Sequence, residues 1–515
     1  MKKTILFRTV RGTMVTMIAV SAASAVLSAA PVLAATKADD TVSITVNKVE
    51  GLDVNGPVKN TGETMDEFKY QDLLEGAGFT VYNVTQYFYD NYDGDNAETL
   101  YSELTTNWDS LKSNGVVVGD ELTTDKYGKA TFSSLPTKQD YNGVSRNAVY
   151  VIEETTHIKD MTPSLPLVVA LPVYKADQVT VNTDIQLYPK NYGVDKVLLD
   201  SEGNALEEES KVYDYEVGSE LTYQVKFAIP EEIGKTNSSG ESFYQAFSVA
   251  DKMSTVGGTF SGIKTMTIDG VDVLKTLGPG AANVEFTSTL DDASVASSWK
   301  LDYAITTEAM RTLLSQYAGK TMTITYNVTI NENAVPDVKV NNDLIVTFDR
   351  DGTTIEQEDD GPNVTTGGIK FEKVDSNDTT ATLAGAEFIV RNEGGQYAQL
   401  EGDAMNPTDI TWVTSKDDAT PIVTGNDGLV TLRGFEYGDY TLIETKAPTG
   451  YVDPVVPETA FTIKEGSYTV QKIAQIKNLK ETKGRLPLTG GIGIITLLVI
   501  GGTMMGVSSM KKKED

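Results

Sequence analysis

An all-β chain of tandem immunoglobulin-like sandwiches is what this sequence predicts, and three observations predict it. Runs such as "VSITVNKVE", "TMTITYNVTI", "GGIKFEKVD" and "YGDYTLIET" alternate apolar and polar residues with period two and are rich in Thr, Val, Ile and Tyr, the pattern of half-buried strands. Gly, Asn, Asp and Pro separate the runs, which favours antiparallel neighbours joined by turns. At 515 residues the chain exceeds one ordinary domain, and its 40% hydrophobic content is enough for several cores. Two stretches, "FKYQDLLEGAG" and "TTEAMRTLLSQYAG", read as helices inserted between strands.

Composition narrows function. The 73 Asp and Glu against 43 Lys and Arg give a formal charge of -30, so neither nucleic acid nor an anionic lipid surface is an expected partner of the body. With no cysteine there are no disulfides, no thiol catalysis and no thiolate metal sites. The single histidine, His157 in "EETTHIKDM", has no catalytic or metal-binding motif around it and reads as a surface-loop residue. No carboxylate pair stands in a recognisable hydrolase motif, so neither an enzyme nor a cofactor is expected. The acidic stretches "DNYDGDNAE" and "DRDGTTIEQEDD" lack the regular spacing of a calcium loop and read as solvated turns; no metal site is assigned.

The elements follow in chain order. Residues 1–35 open on the basic "MKKTILFRTVRG", run apolar and small, and end with Val32 and Ala34 before a cleavage site near Ala35, a secretory signal peptide. Three units follow, at 36–192, 193–364 and 365–482, with boundaries near Asn191 and in the polar run Glu356 to Gly368, which reads as a linker. The last segment, 483–515, has "LPLTG" at Leu486, Pro487, Leu488, Thr489 and Gly490, then an apolar stretch long enough for one membrane span, then Lys511 to Lys513. Lysines after the span place the tail in the cytoplasm.

That order of pentapeptide, span and basic stop resembles the cell-wall sorting signal of Gram-positive surface proteins. The resemblance implies that a sortase cuts between Thr489 and Gly490 and passes the threonyl carbonyl to an amine. The span then holds the chain in the membrane only transiently.

In the third unit, Ile369, Phe371 and Lys373 share one strand face, and so do Ala474, Ile476 and Asn478, so both polar side chains point where apolar neighbours point. A buried lysine tends toward the neutral, nucleophilic amine and a buried Glu toward its protonated form. Alternatively, Lys373 snorkels to solvent and Glu444 only pairs with it. The stretch "YGDYTLIETKAPTGY" together with "GGIKFEKVD" resembles the B-type repeat domains of collagen adhesins and pilins, with their E-box around Glu444. The resemblance implies an amide bond between Lys373 and Asn478 promoted by Glu444.

The first unit offers Ile44, Val46 and Lys48 on one face, and Tyr150, Glu154 and Thr155 at the spacing of Tyr440, Glu444 and Thr445, without the Ala-Pro-x-Gly-Tyr tail. By analogy with multi-domain pilins, Lys48, Asn191 and Glu154 are a candidate bond. The second unit resembles the A-type pilin domain, which implies Lys196, Asp251 and Asn342. Asn342 is preferred to Asn341 because Asn342, Leu344, Val346 and Phe348 alternate on one face. An ordinary hydrogen-bonded polar cluster is the alternative there.

Finally, "VNTDIQLYPKN" resembles the pilin motif Trp-x-x-x-Val-x-Val-Tyr-Pro-Lys, with Val181 in the tryptophan place and Tyr188, Pro189 and Lys190 matching directly. The resemblance implies that Lys190 attacks the sortase thioester of the next subunit, for which an accessible amine on a strand end stiffened by Pro189 is expected. Without the sorting signal, Lys190 would read as an ordinary exposed lysine. The two ends together imply a head-to-tail, open polymer: a pilus shaft on a Gram-positive cell wall. Its expected partners are identical subunits, a pilin-class and a housekeeping sortase, minor pilins, peptidoglycan and, where it adheres, a host receptor. A monomeric peptidoglycan-anchored adhesin that binds host matrix protein or glycan is the alternative.

Overall fold

The structure, a computed structural model, describes residues 40–51, 60–68, 73–206, 212–236, 240–350, 352–470 and 473–481. The signal peptide and the whole "LPLTG" segment with Thr489 lie outside the described residues. The chain forms tandem immunoglobulin-like β-sandwiches, each with its own apolar core between two sheets.

In the first, Thr41–Asn47 is the centre of a three-stranded sheet, parallel to Asp184–Leu187 and antiparallel to Lys129–Pro136. The facing sheet orders Leu167–Ala170, Val149–Thr156, Gly78–Asn83 and Val116–Val117. The alternation seen in the sequence puts Ile44, Val46, Phe79, Val81, Tyr150, Ile152, Ile185 and Leu187 between the sheets, where burial of apolar area stabilises the fold. Lys190 and Asn191 continue the last strand and pair in parallel with Val49 and Glu50, respectively.

Helices enter where the sequence reading did not place them. Thr85–Asn91, Ala97–Thr106 and Trp108–Leu111 cover the outer face of the second sheet, packing Leu100, Leu104 and Trp108 against Val149, Val151 and Val168. The acidic "DNYDGDNAE" is the turn between the first two of these helices, and Asp93 Oδ1 accepts from the backbone N–H groups of Asp95 and Asn96. The expected helix in "FKYQDLLEGAG" is absent among its described residues, which hold only the end of a short 3-10 turn at Asp66–Phe68, a bridge at Leu73 and the start of the strand Gly78–Asn83. The other expected helix is present at Glu308–Ser315, where the Thr307 side chain caps by accepting from the N–H of Met310.

The second sandwich packs the sheet Val194–Leu199, Glu220–Ala228, Thr321–Ile330, Gly258–Ile268, Val271–Asp272 on the sheet Val284–Ser288, Ser298–Ala304, Tyr244–Met253, Asn342–Arg350, Thr353–Asp359. The polar run read as a linker is therefore largely strand. Thr353–Asp359 pairs with Asn342–Arg350 at the sheet edge, and Asn363–Thr365 pairs with Val212–Asp214. Its polar side chains suit an edge with one face in solvent. One of them, Gln357, is fully buried instead, and its Nε2 donates to Thr162 Oγ1 (2.6 Å) and to the Tyr192 carbonyl (2.5 Å) of the first sandwich.

The third sandwich sets Leu429–Phe435, Gly367–Asp375 and Ala474–Asn478 against Asn406–Val413, Tyr397–Asp403, Glu387–Asn392, Gly438–Lys446 and Glu458–Ile463. It docks on the second through the Val217 N–H, which donates to the Gly434 carbonyl (2.8 Å), and the Tyr437 N–H, which donates to Asp214 (2.5 Å). The Trp412 indole N–H donates to both Glu216 oxygens, at 2.8 and 3.0 Å. Burial pushes Glu216 up to about 7; the Trp412 hydrogen bond opposes this in part, and Glu436 and Asp409 add to it. The docked state therefore holds a proton that a separated Glu216 releases, so docking is favoured at low pH and weakens as pH rises through about 7. An NMR titration of the Trp412 indole N–H is expected to show an inflection there that Glu216→Gln removes; a flat titration would contradict it.

Candidate functional site

Each sandwich brings one buried lysine, one buried acid and one asparagine together. In the third, Lys373 lies on the central strand of the three-stranded sheet and Asn478 on the parallel neighbour, with Lys373 opposite Ile476 and Asp375 opposite Asn478. Glu444 reaches in from the facing sheet. The Lys373 Nζ donates to Glu444 Oε2 (2.5 Å) and to Asn478 Oδ1, while Asn478 Nδ2 donates to Glu444 Oε1 (2.7 Å). The three side chains form a closed ring of hydrogen bonds. The lysine amine touches the asparagine carbonyl group, and the carboxyl holds the nitrogen that would leave. Lys373 is buried with its Nζ over the Phe388 ring, so it does not snorkel, and burial lowers its proton affinity despite Glu444. Tyr451, at the end of the "KAPTGY" stretch, donates its hydroxyl to Asp375 (2.9 Å) beside the same strand.

The first sandwich has the same parts in a different state. Lys48 Nζ donates to Glu154 Oε2 (2.7 Å) and Asn191 Nδ2 to Glu154 Oε1 (2.7 Å), so one carboxylate bridges the lysine and the asparagine. Ser164 adds two more donors, its N–H and hydroxyl, both 3.0 Å from Glu154 Oε2. Burial brings Lys48 down to about 8, which leaves roughly one lysine in ten neutral at pH 7. Glu154 departs from the expected protonated form. Burial raises it, but Lys48, Asn191 and Ser164 together outweigh burial and keep it below the ordinary carboxylate range. The pair rests as ammonium and carboxylate, and proton transfer along the Lys48–Glu154 bond converts it to amine and acid.

In the second, Lys196 and Asn342 sit in opposite sheets. Lys196 Nζ donates to Asp251 and to the Asn342 backbone carbonyl (2.6 Å); it bonds the main chain of Asn342 where the sequence reading expects the side chain. The Asn342 side chain is turned to Tyr326, its Nδ2 donating to the Tyr hydroxyl (3.2 Å), which in turn donates to Asp251 Oδ2 (2.6 Å). Asn342 Oδ1 and Asp251 Oδ1 are buried without a hydrogen-bond partner, two groups costly to leave unsatisfied. Burial raises Asp251 and lowers Lys196, which favours neutral acid and neutral amine. Tyr326 is the member that sequence reasoning missed. Its signal was present, because it occupies the apolar column Met322, Ile324, Tyr326, Val328 of "TMTITYNVTI".

Lys190 differs from the exposed amine expected of it. Its side chain is 7% exposed, and its Nζ lies 3.8 Å from Glu231 Oε1 of the second sandwich and over the Tyr192 ring. Burial lowers its proton affinity, partly offset by Glu231. His157 is exposed, as read. Among the described residues no group of three or more His, Cys, Asp or Glu is placed to hold a metal ion.

Comparison with known proteins adds to this geometry. Residues 39–192 match a family model described as Gram-positive pilin subunit D1, N-terminal domain, and residues 367–478 one described as a prealbumin-like fold domain. Fimbrial subunit type 2 of Actinomyces naeslundii is 25% identical over 446 residues, 75% of this chain and 71% of the relative. Fimbrial subunit type 1 of Actinomyces viscosus is 24% identical over 528 residues, 92% of this chain and 91% of that one. The full-length major pilin SpaD of Corynebacterium diphtheriae shares the fold at a TM-score of 0.50 and 20% identity, over 86% of this chain and 98% of its own. Residues 39–192 are thus similar to the N-terminal domain of Gram-positive pilin subunits, and along most of its length the chain is similar to fimbrial subunits.

Proposed function

We propose that this protein, a structural subunit of a pilus shaft, is joined head to tail by a pilin-class sortase through an amide between Thr489 of one copy and Lys190 of the next, and that a housekeeping sortase fixes the finished fibre to peptidoglycan. Within each copy, the lysine amine attacks the asparagine side-chain carbonyl, the buried acid shuttles the proton, ammonia leaves, and Lys48–Asn191, Lys196–Asn342 and Lys373–Asn478 amides remain. One observation carries the reading: a cysteine-free chain repeats a buried lysine, acid and asparagine in three successive sandwiches, each triple tying an N-terminal strand to a C-terminal one. Such ties suit a fibre held under tension outside the cell, where disulfides would otherwise serve.

A monomeric wall-anchored adhesin is the second reading, and the covered state of Lys190 favours it. An immunoblot of muramidase-released wall material from wild type and Lys190→Ala separates the two. A boiling-resistant ladder lost in the variant supports the shaft; one monomer-sized band in both strains supports the adhesin.

A further inference from the structure

Lys190 belongs to the first sandwich, yet its surroundings are built by two. Beneath it runs its own strand with the Tyr192 ring, 5.5 Å from Nζ. Gly51 stands against its stem; a Cβ at that position would meet Lys190 Cβ at 3.0 Å and the Tyr192 ring at 2.7 Å, so this wall admits no side chain. Across the junction, the segment "IPEEIG" that follows the strand Glu220–Ala228 supplies Glu231, whose Oε1 is 3.8 Å from Lys190 Nζ and 3.5 Å from the Tyr192 hydroxyl. The Gln357 side chain, bonded to Thr162 and to the Tyr192 carbonyl, clasps the two sandwiches at the same place. A side chain only 7% exposed and folded onto the junction is not presented to a carbonyl carried in the cleft of another protein.

We propose that Glu231 is a positioning residue of the linkage site, by which the second sandwich holds the Lys190 ammonium against the junction and withholds it until the sortase engages. The inference rests on the proposed role of Lys190. The reaction it regulates balances simply. Lys190 gives up its ammonium proton, and the neutral amine attacks the Thr489 carbonyl held as a thioester on a sortase cysteine. An amide forms, the carbon–sulfur bond breaks, and the amine's second proton goes to the departing thiolate. Glu231 bears on the first step by favouring the ammonium, and it bears on access by keeping the side chain folded down. The ionisable groups around this cluster are Glu231, Tyr192, Glu50 and Glu232; burial holds Tyr192 neutral, and Glu232 faces Lys235 at 3.9 Å.

The test needs no sortase. The full mature protein and its Glu231→Gln variant are treated with a small amine-acylating reagent across a pH series, and modification of Lys190 is followed by peptide mass mapping. Exposed Lys126 serves as the internal control. In the variant, Lys190 modification is expected to rise several-fold at pH 8, with its pH midpoint moved lower; each unit of that movement is worth roughly tenfold in amine fraction below the midpoint. Tyr192→Phe, which removes only the hydroxyl facing Glu231, is expected to leave the midpoint within a few tenths of a unit of wild type. An unchanged rate and midpoint at Lys190 in Glu231→Gln, with Lys126 unchanged, would overturn the proposal. The linkage reading fails separately, by persistence of the polymer ladder in Lys190→Ala.

Discussion

Glu444→Ala is expected to leave the third sandwich without its one-ammonia deficit from sequence mass and to lower its unfolding temperature by roughly 20 °C or more. Two costs add. Without the acid, no carboxyl bonded to both Lys373 and Asn478 remains among the described residues to take the proton or hold the departing nitrogen, so the amide does not form and the constraint between residues 105 positions apart is lost. By the chain-entropy argument used for disulfides, a loop of that length is worth about 4–5 kcal/mol. The variant also keeps Lys373 buried with its one ion-pair partner among the described residues gone, a change that typically costs about 3–5 kcal/mol. Against the ~5–15 kcal/mol of an ordinary domain, the sum is most of the stability. Glu444→Gln separates the terms, because it keeps a polar partner for Lys373 but cannot take a proton. Like Glu444→Ala, it is expected to show its full sequence mass with no ammonia lost from this domain, but with a smaller loss of stability. Intact mass and calorimetry of the mature protein decide the matter. A wild-type mass equal to the sequence mass would mean that Lys373 and Glu444 are only a buried ion pair.

Much of this site was legible before any coordinates, and the reason is the period of a strand. Because side chains alternate faces, a lysine two residues after Phe371 and an asparagine two after Ile476 are committed to the side of their apolar neighbours once the strands are recognised. The same rule picked Asn342 over Asn341: Asn342 is fully buried, while Asn341 is exposed. What the period could not reveal lies in loops and across junctions. Ser164, in a loop, donates twice to Glu154, and nothing in "TPSLP" announces it. Glu231 covers Lys190 from another domain, so the expectation of an exposed lysine, sound for an isolated strand end, failed at the contact. The helices beside "DNYDGDNAE" did carry a signal: Leu100, Leu104 and Trp108 recur every four residues, a helical stripe that the conspicuous acidic turn obscured. Gln357 is a case without a signal, a buried amide in an acidic run whose burial depends on the neighbouring sandwich.

Asp251→Ala is expected to change how the second sandwich responds to force. If fibres are joined from Thr489 to Lys190, tension enters each copy at Lys190 and leaves at Thr489, so residues 40–189 lie off the path and the Lys48–Asn191 pair guards against proteolysis more than against pull. The second and third sandwiches carry the load. In the second, Lys196 and Asn342 are 146 residues apart and stand in opposite sheets, so an amide between them would route tension across the core and leave the intervening residues slack. Asp251 is the only carboxyl within hydrogen-bond reach of Lys196 Nζ among the described residues, and with burial raising its proton affinity it is suited to act as the neutral acid. Removing it leaves the amide unformed, and single-molecule extension of the mature protein would then release ~500 Å of additional chain at ~3.4 Å per residue. The variant would also lack the one-ammonia mass deficit of this domain. Identical extension curves for wild type and Asp251→Ala would show that no bond spans the two sheets. The unpartnered Asn342 Oδ1 would then be only a buried polar atom, costly to the fold and without a role in the fibre.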